Sequence, residues 1–373
     1  LCADRAMKLK TFEEGMIARQ PEVGPTAVAA CSRCVVMDNG DLVCTFSVQE
    51  GSGRNDFKKV IVRSSDGGTT WAEPEYIWPH LHDSLSLIGS ISRATDGELL
   101  LFGIRIPIDT PGESFWSEES DGIKQNTLFH ASSTDNGHTW TDPVPLPLPI
   151  PGSAEAPGAI TVLKDGAWIC CYSPYNTFDS TIEVDRHQVV YMRTDDRGRN
   201  WTYGTMLRFE DTASTAAEAW VVELSDGRLL GACWHISPHG QPDYPNAYAL
   251  SQDGGLTWAP ARGTGTLGQS PALAPLPDGR VLFVYNQRKH GDPGIRLAIA
   301  RPTPNDFGIE IDRPVWQAEN RTRSGTSGDH DDWQDYAFGE PSVTLLPDGA
   351  LLVAFWKIQP EERGIGYVKV KMG

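Results

Sequence analysis

The sequence has no run of 18 or more apolar residues, so no segment of it fits a membrane-spanning helix. It is short of positive charge: 32 lysines and arginines face 49 aspartates and glutamates, a formal net charge of −17. Nucleic-acid binding is carried by basic patches, so no nucleic-acid partner is expected. No basic-then-apolar leader opens the chain, although Leu1-Cys2 also fits the start of a processed secreted protein or lipoprotein. Cysteine is sparse and odd in number, seven in all, with Cys44, Cys170, Cys171 and Cys233 inside apolar, strand-like runs. That is the usage of buried free thiols, not of a disulfide framework, and it favours a reducing, cytoplasmic setting. Cys31-Ser32-Arg33-Cys34 has C-x-x-C spacing, but no second pair exists to build a zinc site and no βαβ pattern surrounds it. Only short helices are expected anywhere.

What is present is turns. The 37 glycines and 27 prolines are dispersed without low complexity. Ser64-Ser65-Asp66-Gly67-Gly68-Thr69-Thr70-Trp71 recurs as Ser133 to Trp140 and as Ser251 to Trp258, with a worn copy from Thr194 to Trp201. In such an octet the Asp accepts hydrogen bonds from backbone N–H groups of a tight turn, and the Gly supplies φ > 0. The Trp then packs into the neighbouring layer. A second repeat runs beneath the first: apolar strand, turn, apolar strand. Its turns are Asn39-Gly40, Asp96-Gly97, Asp165-Gly166, Asp226-Gly227, Asp278-Gly279 and Asp348-Gly349. These read as two-residue hairpins in which both central residues take φ > 0.

Six units of two hairpins each predict an all-β fold, a six-bladed β-propeller of four-stranded antiparallel blades. The repeat of about sixty residues is too long for WD40 or kelch blades. The chain reads as a single propeller, 1–373, with blades at about 32–78, 88–147, 156–209, 217–264, 269–316 and 338–372. Residues 7–19 are expected to supply the outer strand that closes the last blade.

Chain direction sorts the faces. If each first strand starts at one face, the Asp-Gly turns and the octets lie at the other. Chemistry then belongs to the first-strand starts and the second-to-third loops. Eight residues before each turn Asp or Asn stand Cys31, Ile88, Pro157, Glu218, Ser270 and Glu340. The loops offer Glu50, Arg54 and Asp56, then Arg105, then Tyr172, Tyr175 and Asp179. Further on come Trp234, His235 and His239, then Arg288, His290 and Arg296, and finally Trp356 and Lys357. The polar insert from Gly328 to Tyr336 opens on the same face. Its His330-Asp331-Asp332 run matches no ligand spacing, and neither metal nor cofactor is expected.

The octets resemble Asp boxes, and with the six-unit count the chain resembles the sialidase (neuraminidase) superfamily, also described by its BNR repeats. That resemblance implies a hydrolase with an acid/base Asp, a Tyr nucleophile paired with a Glu, and three arginines on the substrate carboxylate. The segment Ala217-Glu218-Ala219-Trp220 is similar to the one bearing the paired Glu, so that role maps to Glu218. Asp56 maps to the acid/base position and Arg296 to the third arginine. The departures are specific. The fourth-blade arginine falls at Trp234, and the first-blade arginine has only Arg33 as a near substitute. Arg105-Ile106-Pro107 reproduces the expected letters on the wrong strand. Glu340 stands where the Tyr nucleophile is expected, with Tyr336 four residues earlier.

Paired carboxylates are the equipment of glycoside hydrolysis, one protonated as acid and the other ionised as nucleophile or base. Sialidases use Tyr instead, because a charged nucleophile is repelled by the carboxylate of their substrate. A Glu in that place argues for a sugar without one. The expected function is release of a terminal sugar from a glycan or glycoside. Asp56, Glu218, Glu340 and Tyr336 are the catalytic candidates; Arg33, Arg105, Arg288, Arg296, Trp234, His235 and Trp356 are the substrate-binding ones. Two alternatives stay open. One is a non-catalytic glycan-binding propeller, in which Glu218 and Glu340 merely bond backbone N–H groups near the axis. The other is a propeller polysaccharide lyase drawing on His235, His239, Tyr336 and Arg288 against a uronate. The oligomeric state is not legible in the sequence.

Overall fold

The computed structural model of the chain describes residues 8–323 and 333–373, so His330, Asp331 and Asp332 of the polar insert lie outside the described residues. At each Asn-Gly or Asp-Gly pair the chain reverses between two antiparallel strands, yet only the glycine is left-handed: Gly40, Gly97, Gly166, Gly227, Gly279 and Gly349 all have φ between 82° and 90°. The preceding Asn39 and its Asp counterparts keep negative φ. In the first blade the Gly40 amide donates to the Met37 carbonyl at 2.9 Å and the Met37 amide to the Asp41 carbonyl at 2.8 Å. The expected two-residue turns are therefore three-residue turns closed by a glycine bulge. Their handedness also suits the strand twist, and the Asn or Asp is freed to bond the residue two ahead.

These reversals build six sheets. Blade one runs Val28–Val36, Leu42–Gln49, Lys58–Ser64 and Glu75–Tyr76, and blade two Leu85–Arg93, Leu99–Pro107, Thr127–Ser133 and Val144–Leu146. Blade four runs Thr215–Glu223, Leu229–Ile236, Ala247–Ser251 and Arg262–Gly263, and blade five Gln269–Pro275, Val281–Gln287, Gly294–Ala300 and Ile309–Gln317. In blade three the inner strand is broken into Ser153–Glu155 and Thr161–Val162, both pairing Trp168–Tyr175, followed by Gln188–Thr194 and Thr202–Arg208. Pro157 cannot donate to a ladder. Beside it, a Cβ on Gly158 would stand 2.8 Å from the Ala219 carbonyl of blade four, so the break lets two blades approach closely.

Blade six is built from both ends of the chain. Phe338–Leu345, Leu351–Ile358 and Arg363–Met372 are joined by Leu9–Arg19 as the outermost strand, in register from Leu9 opposite Met372 to Arg19 opposite Gly364. Ion pairs reinforce that seam: Lys369 Nζ lies 2.7 Å from Glu13, and the buried Lys357 Nζ 3.3 Å from Glu14 and 2.7 Å from Glu362. The fold is thus an all-β six-bladed propeller of four-stranded antiparallel sheets. Its cores lie between neighbouring blades: Ile61 meets Leu101 and Phe129, and Phe102 meets Ile160 and Trp168.

The Asp boxes join third and fourth strands of blades one to four. Asp253 is typical: its carboxylate accepts from the Thr257 amide at 2.9 Å, the Thr257 hydroxyl at 2.5 Å and the Ser251 hydroxyl at 2.8 Å. Gly255 at φ 91° leaves no room for a side chain, because a Cβ would meet Ile169 of blade three at 2.7 Å. The worn copy keeps the plan, with Asn200 replacing the Thr donor to Asp196. No helix among the described residues is long and apolar enough to cross a membrane.

Candidate active site

The six first strands converge on the axis, and four carry the same distortion. Between Ala30 and Arg33, Ala217 and Trp220, Gln269 and Ala272, and Gly339 and Ser342 the register slips by one residue. At the slip Cys31, Glu218, Ser270 and Glu340 have φ of 55°, 55°, 51° and 48°. A non-glycine residue there costs about 1–3 kcal/mol and persists only where its surroundings hold it. The holders are visible. Glu340 Oε2 accepts from the Cys31 amide at 2.7 Å and lies 3.2 Å from the Cys31 thiol. Glu155 Oε2 accepts from the Glu218 amide at 2.7 Å. Glu218 Oε1 in turn accepts from the Ser270 hydroxyl at 2.5 Å. The bulges at Cys31 and Glu218 turn an N–H toward a carboxylate of the preceding blade, and the Ser270 bulge turns its hydroxyl there.

The result is a small cavity on the axis, lined by all six blades. Glu218 and Glu340 face it with Cys31, Ser90 and Ser270, and Pro157, Pro271 and Pro341 supply apolar walls. Three half-buried carboxylates, Glu155, Glu218 and Glu340, feel one another there. Burial, then the charge of Glu340, pushes Glu218 up to about 7, while its bond from Ser270 pulls the other way. Burial and Glu218 hold Glu155 well above the usual carboxylate range. Glu218 Oε2 is buried with no partner among the described residues. Glu340 has cations within electrostatic reach, since its charge supports the protonated forms of Lys59 and Arg288. Lys59 is fully buried, donates to the Gly89 carbonyl, and is pulled down to about 8 by that burial.

Around this centre the candidates separate. Arg288 is buried, donates to the Phe338 carbonyl and to Gln269 Oε1 at 2.8 Å, and lies 3.9 Å over the Tyr336 ring. The Tyr336 hydroxyl accepts from the Gln269 amide at 3.2 Å, so Tyr336 and Arg288 form one buried unit. Arg33 stands inside the channel, 4.4 Å over the Trp220 ring, with Nη1 unpartnered among the described residues. Arg105 bonds the Pro143 carbonyl at 3.1 Å within its own blade. Arg296 is taken by Asp312 at 2.9 Å and by the Tyr285 hydroxyl at 3.1 Å. Each of the four arginines is held by a different set of neighbours.

Asp56 sits in the second-to-third loop of blade one. Its Oδ2 accepts from the Glu50 amide at 3.2 Å, Oδ1 is buried without a partner among the described residues, and burial raises its pKa. It shares no hydrogen bond with the three glutamates. His235 is stacked on Phe209 at 3.8 Å, bonded to Ser214 at 2.9 Å, and lowered to about 4 by burial. Trp356 is buried in the seam between blades six and one. Trp234 is half-buried beside Arg288 in a groove between blades four and five.

Two contributors escaped the sequence reading. Glu155 sits two residues before the Pro157 position picked by counting back from the turn, because the blade-three strand is broken. The signal was there: Ala154-Glu155-Ala156 repeats Ala217-Glu218-Ala219. The other is an aromatic wall. The blade-two hairpin of Trp116–Ser117 with Gly122–Ile123 brings Trp116 to 6.2 Å from Tyr175 and 6.1 Å from Trp333. Glu155 and Glu218 both act on the Tyr175 hydroxyl, which puts this wall beside the carboxylates. Among the described residues no group of three or more His, Cys, Asp or Glu is arranged to hold a metal ion.

A family profile described as a BNR repeat-like domain matches residues 89–313, more than half of the chain. The chain belongs to the BNR repeat-like domain family. Curated proteins give no sequence match. Among solved structures, this BNR-repeat propeller is similar to a protein of unknown function from Dyadobacter fermentans, at 22% identity and a TM-score of 0.75, covering 98% of this chain and 99% of that one. It is also similar to the NanB sialidase of Streptococcus pneumoniae, at 15% identity and a TM-score of 0.66, covering 96% and 70%. A third is an α-L-arabinofuranosidase of Fusarium graminearum, at 17% identity and a TM-score of 0.65, covering 97% and 98%. At these identities the likeness is one of fold.

Proposed function

We propose that this BNR-repeat propeller is a glycoside hydrolase releasing a terminal neutral sugar, with Glu218 as general acid and Glu340 as nucleophile or base. The observation that carries the reading is the Glu218 carboxyl, raised to about 7 by burial and by Glu340. At neutral pH such a group is about half protonated, the condition for efficient proton donation. Its Oε1 is fixed by Ser270 at 2.5 Å, which leaves Oε2 to carry the proton toward a glycosidic oxygen. As the bond to the anomeric carbon breaks, positive charge develops on the sugar. Glu340, anchored by the Cys31 amide and flanked by Lys59 and Arg288, attacks that carbon or takes a proton from water. The acid role passes from Asp56 to Glu218 because Glu218 has another carboxylate to set its proton affinity. Asp56, at the mouth, is proposed to accept a substrate hydroxyl.

The neutral sugar follows from the arginines. Arg105 and Arg296 are engaged within their own blades and Arg288 is held by Phe338 and Gln269, which leaves Arg33 alone on Trp220 and no cluster for a substrate carboxylate. The likeness to both a sialidase and an arabinofuranosidase supports the reaction class without choosing the sugar. A panel of chromogenic glycosides, including an α-L-arabinofuranoside and a sialoside, tests the proposal. Cleavage of a neutral glycoside but not the sialoside is expected; cleavage of the sialoside alone would reverse the assignment.

One observation favours a non-catalytic glycan-binding reading: Glu155 and Glu340 each bond the amide of a left-handed residue in the next blade. In that reading the carboxylates are pins, and glycans bind without turnover.

A further inference from the structure

The groove between blades four and five is lined by Trp234, Asp243, Gln269, Arg288 and His290, and the proposed chemistry leaves Trp234, Asp243 and His290 unused. Trp234 is paired across the strands with Ala217, the residue before the general acid. On the opposite wall Gln269 immediately precedes Ser270, the residue that fixes Glu218 Oε1. Gln269 is itself immobilised, accepting from Arg288 at 2.8 Å and donating to the Tyr336 hydroxyl at 3.2 Å. The outer end is closed by the half-exposed Asp243–His290 pair at 2.7 Å. The groove opens to solvent between these walls, so a ring would lie on Trp234 at the surface and not in an enclosed chamber. Trp234 is half-buried and makes no side-chain hydrogen bond among the described residues.

A general acid protonates the glycosidic oxygen, and that oxygen departs with the leaving group. The leaving group therefore lies on the open side of the acid. The groove flanking the Glu218 strand has one large aromatic face and a polar rim, the composition suited to a ring with an apolar face and hydroxyl edges. We propose that the groove is the leaving-group subsite and takes a sugar ring on Trp234. The substrate is then an oligosaccharide or glycan, not the glycoside of a small alcohol. This rests on the reading of Glu218 as the acid.

The test uses the full chain as wild type, Trp234→Ala and Trp234→Phe. Substrates are neutral di- and trisaccharides and the p-nitrophenyl glycosides of the same terminal sugars, whose leaving group departs without a proton. The ratio of kcat/KM for trisaccharide over aryl glycoside falls roughly tenfold in Trp234→Ala and is largely kept in Trp234→Phe. In parallel, the trisaccharides are titrated into Glu218→Gln with and without Trp234→Ala, followed by intrinsic fluorescence, and affinity falls by a similar factor. Equal losses on both substrate types, with a lowered Tm, overturn the proposal, because Trp234 is then packing. Aryl-glycoside hydrolysis with no Trp234-dependent change in ratio or binding also overturns it and leaves the hydrolase reading standing. Trp234-dependent trisaccharide binding without hydrolysis of any substrate sinks the hydrolase reading and supports the groove as a sugar site.

Discussion

Replacing Glu218 by Gln separates a functional carboxylate from a structural pin through stability alone. The folded chain holds the Glu218 proton to about 7, against 4.5 for an ordinary glutamate. Between those values the native state binds more protons than the unfolded state. Raising the pH through that window therefore withdraws stability from the wild type, and lowering it restores stability. Moving a proton affinity from 4.5 to about 7 corresponds to about 3 kcal/mol. Gln keeps the acceptor for Ser270 and does not titrate. Glu218→Gln is therefore expected to gain about 3 kcal/mol on the wild type as the pH rises from 4 to 8. For a chain of this length that is a relative gain of about 4 °C in Tm. Thermal melts of both proteins at half-unit steps from pH 4 to 8 read this directly. A difference that stays constant with pH would refute the reasoning, and constant destabilisation would mark Glu218 as a pin.

Other consequences follow from the same geometry. Ser270→Ala removes a hydrogen bond that favours ionised Glu218, so the alkaline limb of the kcat–pH profile moves to higher pH; a shift to lower pH contradicts the assignment. Arg33→Met removes a charge held against Trp220 with one nitrogen unpartnered among the described residues. It should leave kcat/KM within about threefold and stability within about 1 kcal/mol of wild type, and a hundredfold loss of kcat/KM would restore Arg33 as a substrate clamp. Asp253, held down to about 2 chiefly by its bonds from Thr257, contributes stability above the ordinary Asp range that is lost as pH falls through about 2. Asp253→Asn thus lowers Tm at pH 7 by more than at pH 2, without changing initial rates at 25 °C, as melts at the two pH values check.

The frame was legible because its signals are local. Each Asp box closes within eight residues, so Ser251, Asp253, Gly255 and Thr257 state their own turn. The glycine hairpins were legible as turns but not as a turn type, since the dipeptide supports either two left-handed residues or one, and strand twist decides. The site was legible where its position follows from counting: Glu218 and Glu340 stand at the same place in unbroken first strands, each at the bulge. Counting failed in blade three, where Pro157 and Gly158 break the strand and bring Glu155, not residue 157, toward Glu218. The arginines could not be placed from sequence because their partners are distant in the chain or packed across the axis. Arg296 finds Asp312 on the next strand, and Arg33 reaches Trp220 three blades away.

The central claim is that Glu218 and Glu340 together cleave a neutral glycoside. Initial rates of wild type, Glu218→Gln and Glu340→Gln on the chromogenic panel test it most directly. Hydrolysis of at least one neutral glycoside by the wild type is expected, with an alkaline limb near the raised Glu218 value. A fall of about a thousandfold or more is expected in Glu340→Gln. Full activity in both variants, or turnover of the sialoside alone, would contradict the claim.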